Sequence, residues 1–587
     1  MSATSLTAHV PSYVVRNPAK VFTTASTFLG FFALTPEPPL LAVAALLAVI
    51  RLSAQTFIPR AHGYSKLALQ VGLVSVAAGT AHLAPGIQAL STPNVALVVF
   101  SGISLVVSAF AVVVAGAAVH ASKYTNSPWA QITLFPALWA SAWGFMSRVS
   151  PVGQLVTWSP VLGLGPYGWI RGFLGQWGVD WITAAWAVVL SEVLGDWLVG
   201  DSDNQMNLID HVDHERLIDH ENEHVDYLHT PSVAQLPVAR SRSLLSLFLL
   251  LLLSMVPTYF TSYLPTSTHS DDVTPFGVAC AMPDPKATEH GRLDIEDYIT
   301  ATKQIQSQAN IVFWPESAVR FESPDEREKA FARIQNVTDG NKFIGVSFEE
   351  YVPAQGKRRN GFALIQRTGP PVFEYYKRNL VPIAESFSLS PGHDAPSIYT
   401  IKLSKPLKGH NIPVSASICL DFAHSSSFTS FTSRPALILA PARTWHIGVG
   451  SAMWEQAKAR ASETGSTVVW CDGGEGGISG IASGAYSEII QVGPGSWVKR
   501  LGIPYPFDER RTTYTWGGDG LAFVVVWALL GQGYVARAIW VGGRRVRTGV
   551  AGSMAFVRPA FEALRKLVPQ RRRSIGPTVD EQTSLLG

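Results

Sequence analysis

Asn310-Ile311-Val312-Phe313-Trp314-Pro315-Glu316-Ser317-Ala318 decides how the C-terminal half of this chain reads. Its apolar residues form a short strand that runs straight into Trp-Pro-Glu. Proline has no backbone N–H to give to a ladder, so the strand ends at Pro315. Glu316 is then left at the C-terminal rim, where α/β sheets place their ligands. Two further segments stand out. Residues 374–385, Glu-Tyr-Tyr-Lys-Arg-Asn-Leu-Val-Pro-Ile-Ala-Glu, carry Lys377 and Glu385. Residues 413–422, Pro-Val-Ser-Ala-Ser-Ile-Cys-Leu-Asp-Phe, run an apolar strand into Cys419. Around all three, residues 265–518 alternate short apolar runs with polar helical stretches, the rhythm of a soluble α/β domain.

Working outward, the chain changes character on both sides. Residues 1–264 are mostly apolar, and 95–119 and 243–264 are long enough to cross a bilayer. Residues 67–84, 129–147 and 181–199 read as further spans, the last despite Glu192 and Asp196. Residues 21–34 and 40–50 flank Thr-Pro-Glu-Pro-Pro and read as a short hairpin. Residues 519–537 form a last apolar helix, and 538–587 a basic tail. The chain as a whole has 587 residues, of which 15% are charged, against about 25% in typical soluble proteins. That deficit points to a membrane, and a net charge of +3 gives no reason to expect nucleic acid. No cleavable signal peptide is expected, because the first twenty residues lack a continuous apolar core. Three cysteines, Cys280, Cys419 and Cys471, cannot all pair within one chain, so no disulfide framework is expected and at least one thiol stays free.

Lysine and arginine positions suggest an orientation. With the N-terminus cytosolic, the inside segments hold Arg16, Lys20, Arg51, Arg60, Lys66, Lys123, Arg240 and Arg242, and the basic tail joins them. The outside loops 35–39 and 85–94 hold none, and the outside loop 148–180 holds only Arg148 and Arg171. The expectation is a multi-pass helical membrane bundle (1–264) with an acidic, His-rich cytosolic loop (200–242). The α/β domain then lies on the non-cytosolic face, in the endomembrane system of a eukaryote or at the plasma membrane of a bacterium.

Taken singly, Glu316 reads as a solvated rim residue, Lys377 as a surface lysine and Cys419 as a small buried hydrophobe. Their order and local sequence resemble the nitrilase (carbon–nitrogen hydrolase) superfamily, which uses a Glu, a Lys and a Cys in that order. The resemblance covers about 275–515 and extends to Ala442-Arg-Thr-Trp-His-Ile-Gly, to Ala459-Arg-Ala-Ser-Glu-Thr-Gly and to the glycine-rich turn 472–477. It implies an αββα sandwich. A bundle before such a domain and one span after it is similar to the layout of the apolipoprotein N-acyltransferases. Asn126-Ser-Pro-Trp-Ala-Gln, Pro136-Ala-Leu-Trp and Val161-Leu-Gly-Leu-Gly resemble segments of that family's bundle.

What the resemblance implies agrees with thiol chemistry. A thiol of pKa about 8.5 needs a base and a nearby positive charge. Glu316 is expected to deprotonate Cys419, and Lys377 to favour the thiolate and the oxyanion of a tetrahedral intermediate. Glu385 is expected to orient Lys377 or shape the acyl site. Asp421 and Trp445 fall at positions that line the substrate pocket or support it. The implied reaction needs no cofactor or metal. It moves an acyl group from phospholipid through a Cys419 thioester to an amine on a lipidated protein or other acceptor. Two departures leave that acceptor open: Pro382-Ile-Ala-Glu385 replaces Pro-Phe-Gly-Glu, and Cys419-Leu-Asp421 replaces Cys-Tyr-Glu. The alternatives are a membrane-anchored amidase with the same triad and a non-catalytic scaffold.

Three other features stand out in the sequence. His211, His214, His220 and His224 in the acidic loop have metal-ligand spacing but read as a solvated segment. Asn336-Val-Thr is a glycosylation acceptor pattern in the domain placed outside the cytosol. His424, five residues after Cys419, offers a Cys–His pair as an alternative general base.

Overall fold

The computed structural model describes residues 13–60, 62–199, 236–261, 264–287, 293–403, 409–484 and 486–546. The four-histidine segment and the tail from 547 onward lie outside the described residues.

Among the described residues, the helices of eight or more residues before the first strand are α1 (Pro18–Ala33), α2 (Leu40–Phe57), α3 (Gly63–Ala81), α4 (Leu83–Leu90), α5 (Pro93–Ser122), α6 (Pro128–Val149), α7 (Arg171–Val199) and α8 (Leu236–Leu253). Among the described residues, five helical segments are long and apolar enough to cross a membrane, or six if the α3–α4 pair, bent by 67°, counts as one. They are Leu40–Phe57, Pro93–Ser122, Gly165–Leu198, Arg240–Phe260 and Thr513–Val535. Two expectations change here. The run at 40–50 is only part of an 18-residue helix that does qualify, because helix continues through Arg51 to Phe57. The 129–147 segment forms α6 but is not among the candidate spans.

One buried charge cluster inside the bundle is fully paired. Arg51 donates to Glu192 at 2.5 Å and to Ser191, and Arg240 reaches the same carboxylate at 2.7 Å. A guanidinium buried among apolar helices is tolerated only with such partners. By contrast α5 leaves Val98, Val106 and Val113 exposed.

The strands form two sheets. The first has the order β13-β1-β2-β4-β5-β6, with β3 (Val319–Phe321) paired to β4. Its strands β1 (Val273–Cys280), β2 (Ile311–Phe313) and β4 (Phe343–Val352) run parallel, while β13 (Trp497–Pro504), β5 (Lys357–Ile365) and β6 (Phe373–Tyr376) are antiparallel to their neighbours. The second runs, in order, through β12 (Tyr486–Val492), β11 (Ile478–Ser483), β10 (Thr467–Asp472), β9 (Leu437–Ala442), β8 (Asn411–Ala416) and β7 (Tyr399–Lys402), with β8, β9 and β10 parallel.

Alternation along the strands stacks these sheets face to face. Phe276, Val278 and Cys280 of β1 join one core with Val414, Leu439 and Val469 of the other sheet. Ala279 instead packs with Tyr298, Ile299 and Ala301 of α9 (Ile295–Ile305), and with Phe331 and Ile334 of α10 (Pro324–Val337). On the far side, α11 (Ile447–Thr464) lies against β10 and β11 (Ile478–Ser483). The layers are therefore α, β, β, α. Cys280 and Cys471 form a disulfide between the sheets, with Cα atoms 5.8 Å apart. Cysteine count alone specifies no pairing; adjacency of β1 and β10 across the core supplies it, and Cys419 is left as the free thiol.

The α/β layers rest on the bundle through specific polar contacts. Gln154 accepts from Arg460 of α11 at 3.0 Å. The last helix, α12 (Thr513–Val546), starts beside α7: Asp519 accepts from Trp177, Tyr514 and Arg148.

Candidate active site

Strand β2 delivers Glu316. Trp314 continues the ladder by donating its N–H to Gly345, and its indole donates to Thr302 at 2.9 Å. The chain then turns at Pro315, which the glycine-rich turn after β10 packs on; a Cβ at Gly473 would come within 2.6 Å of it. Ser317, the next residue but one, has φ +53°. Strand β6 delivers Lys377, whose N–H donates to the Asn360 carbonyl at 2.9 Å. Strand β8 of the second sheet delivers Cys419, at φ +42° on the first residue of a short 3-10 turn. Left-handed conformations at non-glycine residues cost about 1–3 kcal/mol, and such strain gathers at functional sites.

These three residues meet between the two sheets. The Lys377 ammonium, fully buried, donates to Glu316 and to Glu385, each at 2.7 Å. Glu316 also accepts from the Asn360 side chain at 2.8 Å, and the Cys419 thiol is its hydrogen-bonding neighbour. The second oxygen of Glu385 accepts from the Val381 N–H at 2.8 Å, which fixes the carboxylate that fixes the lysine.

The electrostatics follow from burial. Burial raises the Glu316 carboxyl to about 7, against the lowering pull of Lys377. Burial alone would lower Lys377, but Glu316, Cys419 and Glu385 together hold it above the ordinary lysine range. Burial and then the Glu316 charge push the Cys419 thiol well up, while Lys377 and the Arg443 backbone N–H pull the other way. The resting site therefore holds a protonated thiol, a lysinium and a carboxylate that exchanges its proton near neutrality. That carboxylate has the pKa of a general base at physiological pH.

The remaining sequence candidates take different places. Asp421 is fully buried and its oxygens are committed inside the protein. One accepts from Arg378 N–H, Asn379 N–H and the Asn379 side chain; the other accepts from Tyr375 at 2.7 Å and from Ile418 N–H. It ties the Lys377 segment to the Cys419 turn. Trp445 is 39% exposed and donates to the Pro85 carbonyl of α4. It borders an apolar cavity of about 300 Å³ shared by the bundle (Pro36, Phe100, Trp158) and the α/β domain (Val449, Ala452). The His424 ring is turned to the Pro151 carbonyl, not to Cys419.

Reading the sequence missed Asn360, Tyr375 and the Arg443 N–H. Asn360 carried a faint signal, a polar residue opening the apolar run of β5. Arg460, within the matched helix segment, pairs with Glu463 at 2.6 Å and donates to the Phe422 carbonyl, bracing the Cys419 turn from behind. Among the described residues no cluster of His, Cys, Asp and Glu has the makings of a metal site.

No protein-family model and no curated protein matches the sequence. Among solved structures, an amidase from Nesterenkonia sp. AN1 is 18% identical, with 44% of this chain and 97% of that one covered at a TM-score of 0.31. Nit3 of Saccharomyces cerevisiae, a nitrilase superfamily member, is 18% identical, with 40% and 93% covered at 0.30. The structural neighbours are thus nitrilase superfamily enzymes, similar over less than half of this chain.

Proposed function

We propose that this protein is a membrane N-acyltransferase that moves a fatty acyl group from a phospholipid, through a thioester on Cys419, to an amine. The observation that carries the reading is the buried Glu316–Lys377–Glu385 cluster around the free thiol of Cys419. Three further features favour acyl transfer over simple hydrolysis. The α/β domain sits on a bundle rich in helices apolar enough to cross a membrane. Helix α5 turns valines outward. The apolar cavity bordered by Trp445 is lined by both bundle and domain residues, although not by Glu316, Lys377 or Cys419, and is of a kind that an acyl chain can occupy.

The steps use groups already in place. Glu316 takes the thiol proton as Sγ attacks the ester carbonyl. Two of the three Lys377 N–H donors are committed to Glu316 and Glu385, which leaves the third for the oxyanion. As the intermediate collapses, the C–O bond breaks, Glu316 returns the proton to the departing lysophospholipid oxygen, and the acyl group stays on sulfur. The amine nitrogen then attacks the thioester carbonyl, the C–S bond breaks, and the amine proton passes by way of Glu316 to the freed Cys419 sulfur. In the same proposal the α/β domain faces the non-cytosolic side, to which the Lys/Arg distribution and the Cys280–Cys471 disulfide both lend support.

The test supplies acyl-labelled phospholipid with a diacylated lipopeptide bearing a free N-terminus. Label on the peptide nitrogen, resistant to hydroxylamine and absent with Cys419→Ala, is expected. Release of free fatty acid alone, with the peptide unlabelled, would assign the acceptor role to water.

A further inference from the structure

A second cavity, of about 350 Å³, lies where the segment entering α7, the turn after α8 and the outer face of α11 meet. None of Glu316, Lys377 and Cys419 lines it. Arg171 does, and it is 5% exposed with a buried Nη1 that has no hydrogen-bond partner. A buried guanidinium N–H that nothing receives is costly, so such a group calls for an acceptor. The other charged lining residues are Lys458 and Glu455, which pair with each other at 2.5 Å. Among the described residues no carboxylate pairs with Arg171 at salt-bridge distance; Glu463, Glu455 and Asp180 attract it only from farther away, and its buried Nη1 is left without an acceptor.

The hydroxyls nearby are spoken for. Thr258 donates to the Gly165 and Pro166 carbonyls, Ser462 to Lys458 and Gly484. Arg171 is thus the group awaiting an acceptor.

The cavity's position narrows the ligand. The candidate spans Gly165–Leu198 and Arg240–Phe260 have ends beside one another here, joined by Trp169 donating to Ser254 at 2.8 Å. Tyr259 and Phe260, between two lining threonines, are each 86% exposed, and Leu264 is 77% exposed. Aromatic residues at span ends belong to the level of lipid headgroups. A ligand that fits is singly anionic at one end and apolar at the other.

We propose that this cavity binds the phosphodiester headgroup of a membrane lipid, with a phosphate oxygen accepting from Arg171. The site is separate from the acyl-transfer centre. It rests on the membrane reading of the helices but not on the acyl-transfer reading, and stands or falls without turnover.

The test uses full-length protein in the Cys419→Ala background, purified in detergent and examined by native mass spectrometry with phosphatidylglycerol as the probe. Arg171→Gln should lower retention of one lipid by at least about tenfold, the effect of losing a charge-assisted hydrogen bond. Gly168→Leu tests the site by filling it, since Gly168 lines the cavity and a Cβ there meets nothing within 4 Å. It should lower the same adduct, which settles the matter if Arg171→Gln fails to fold. Diacylglycerol, which lacks the phosphate, should show no retention that depends on Arg171. Equal phosphatidylglycerol retention in parent and Gly168→Leu would overturn the proposal. So would Arg171-dependent binding of inorganic phosphate that displaces the lipid, which would make this a site for a free anion.

Discussion

Replacing Glu316 by Gln keeps the shape of the site and removes its capacity to carry a proton. The side-chain oxygen still accepts from Lys377 and from Asn360, and Lys377 keeps its second carboxylate, Glu385, at 2.7 Å. The variant should therefore fold. Chemically it loses both halves of the proton's route, from thiol to carboxyl and from carboxyl to the leaving oxygen. General acid–base catalysis is worth about 10²–10⁴-fold, or ~3–5 kcal/mol of barrier. The assay is single-turnover acylation of Cys419 by phospholipid, followed by intact mass between pH 6 and 8. With the carboxyl raised to about 7, the basic form prevails only above that pH. Wild-type acylation should rise roughly eight- to tenfold from pH 6 to pH 8, as the basic fraction climbs from about one-tenth to about nine-tenths. Glu316→Gln should be slower by the stated factor and lack that inflection. Alkylation of Cys419, the free thiol beside a disulfide-bonded pair, serves as the control that the nucleophile is intact. A variant that acylates within threefold of wild type, or that keeps the inflection near 7, would refute Glu316 as the base.

Lys377→Met removes the cation between two buried carboxylates. It should abolish acylation and lower thermal stability, since breaking a buried pair costs about 3–5 kcal/mol; the companion Lys377→Met/Glu385→Gln should recover part of the stability but none of the activity. Asp421→Ala strands the Tyr375 hydroxyl and the Asn379 donors in the interior, so a loss of about 2–4 kcal/mol is expected by denaturant or thermal unfolding. Asp421→Asn should recover some of it. Replacing Cys280 and Cys471 by Ser opens a link spanning 191 residues and should cost about 2–5 kcal/mol. Acylation of Cys419 should persist at low temperature, because neither sulfur lies in the site.

The chemistry was legible because it is local. A strand stopped by proline before Glu316, a strand running into Cys419 and a lysine between them can each be read from a few residues. What joins distant segments was not legible. Arg51 sits in the middle of α2, where a charge truncates the apolar run. Only its pairing with Glu192, 141 residues away, lets the helix continue to Phe57. The disulfide needed β1 and β10 to face each other across the core. Asp421 looked like a pocket residue from its place two beyond the cysteine, yet its partners Tyr375 and Asn379 come from another strand and loop. The contact of Trp445 with Pro85 likewise depends on how the bundle meets the domain, which no short pattern encodes.

The central claim is that Cys419 takes an acyl group from phospholipid. Its most direct test is the intact mass of the detergent-purified protein after incubation with a phospholipid of defined chains, beside Cys419→Ala. The account predicts a mass gain equal to one acyl group, removed by neutral hydroxylamine and absent from the variant. Folded protein whose Cys419 stays unmodified by phospholipid, yet forms an adduct with a small amide, would contradict it and make this a carbon–nitrogen hydrolase anchored in the membrane.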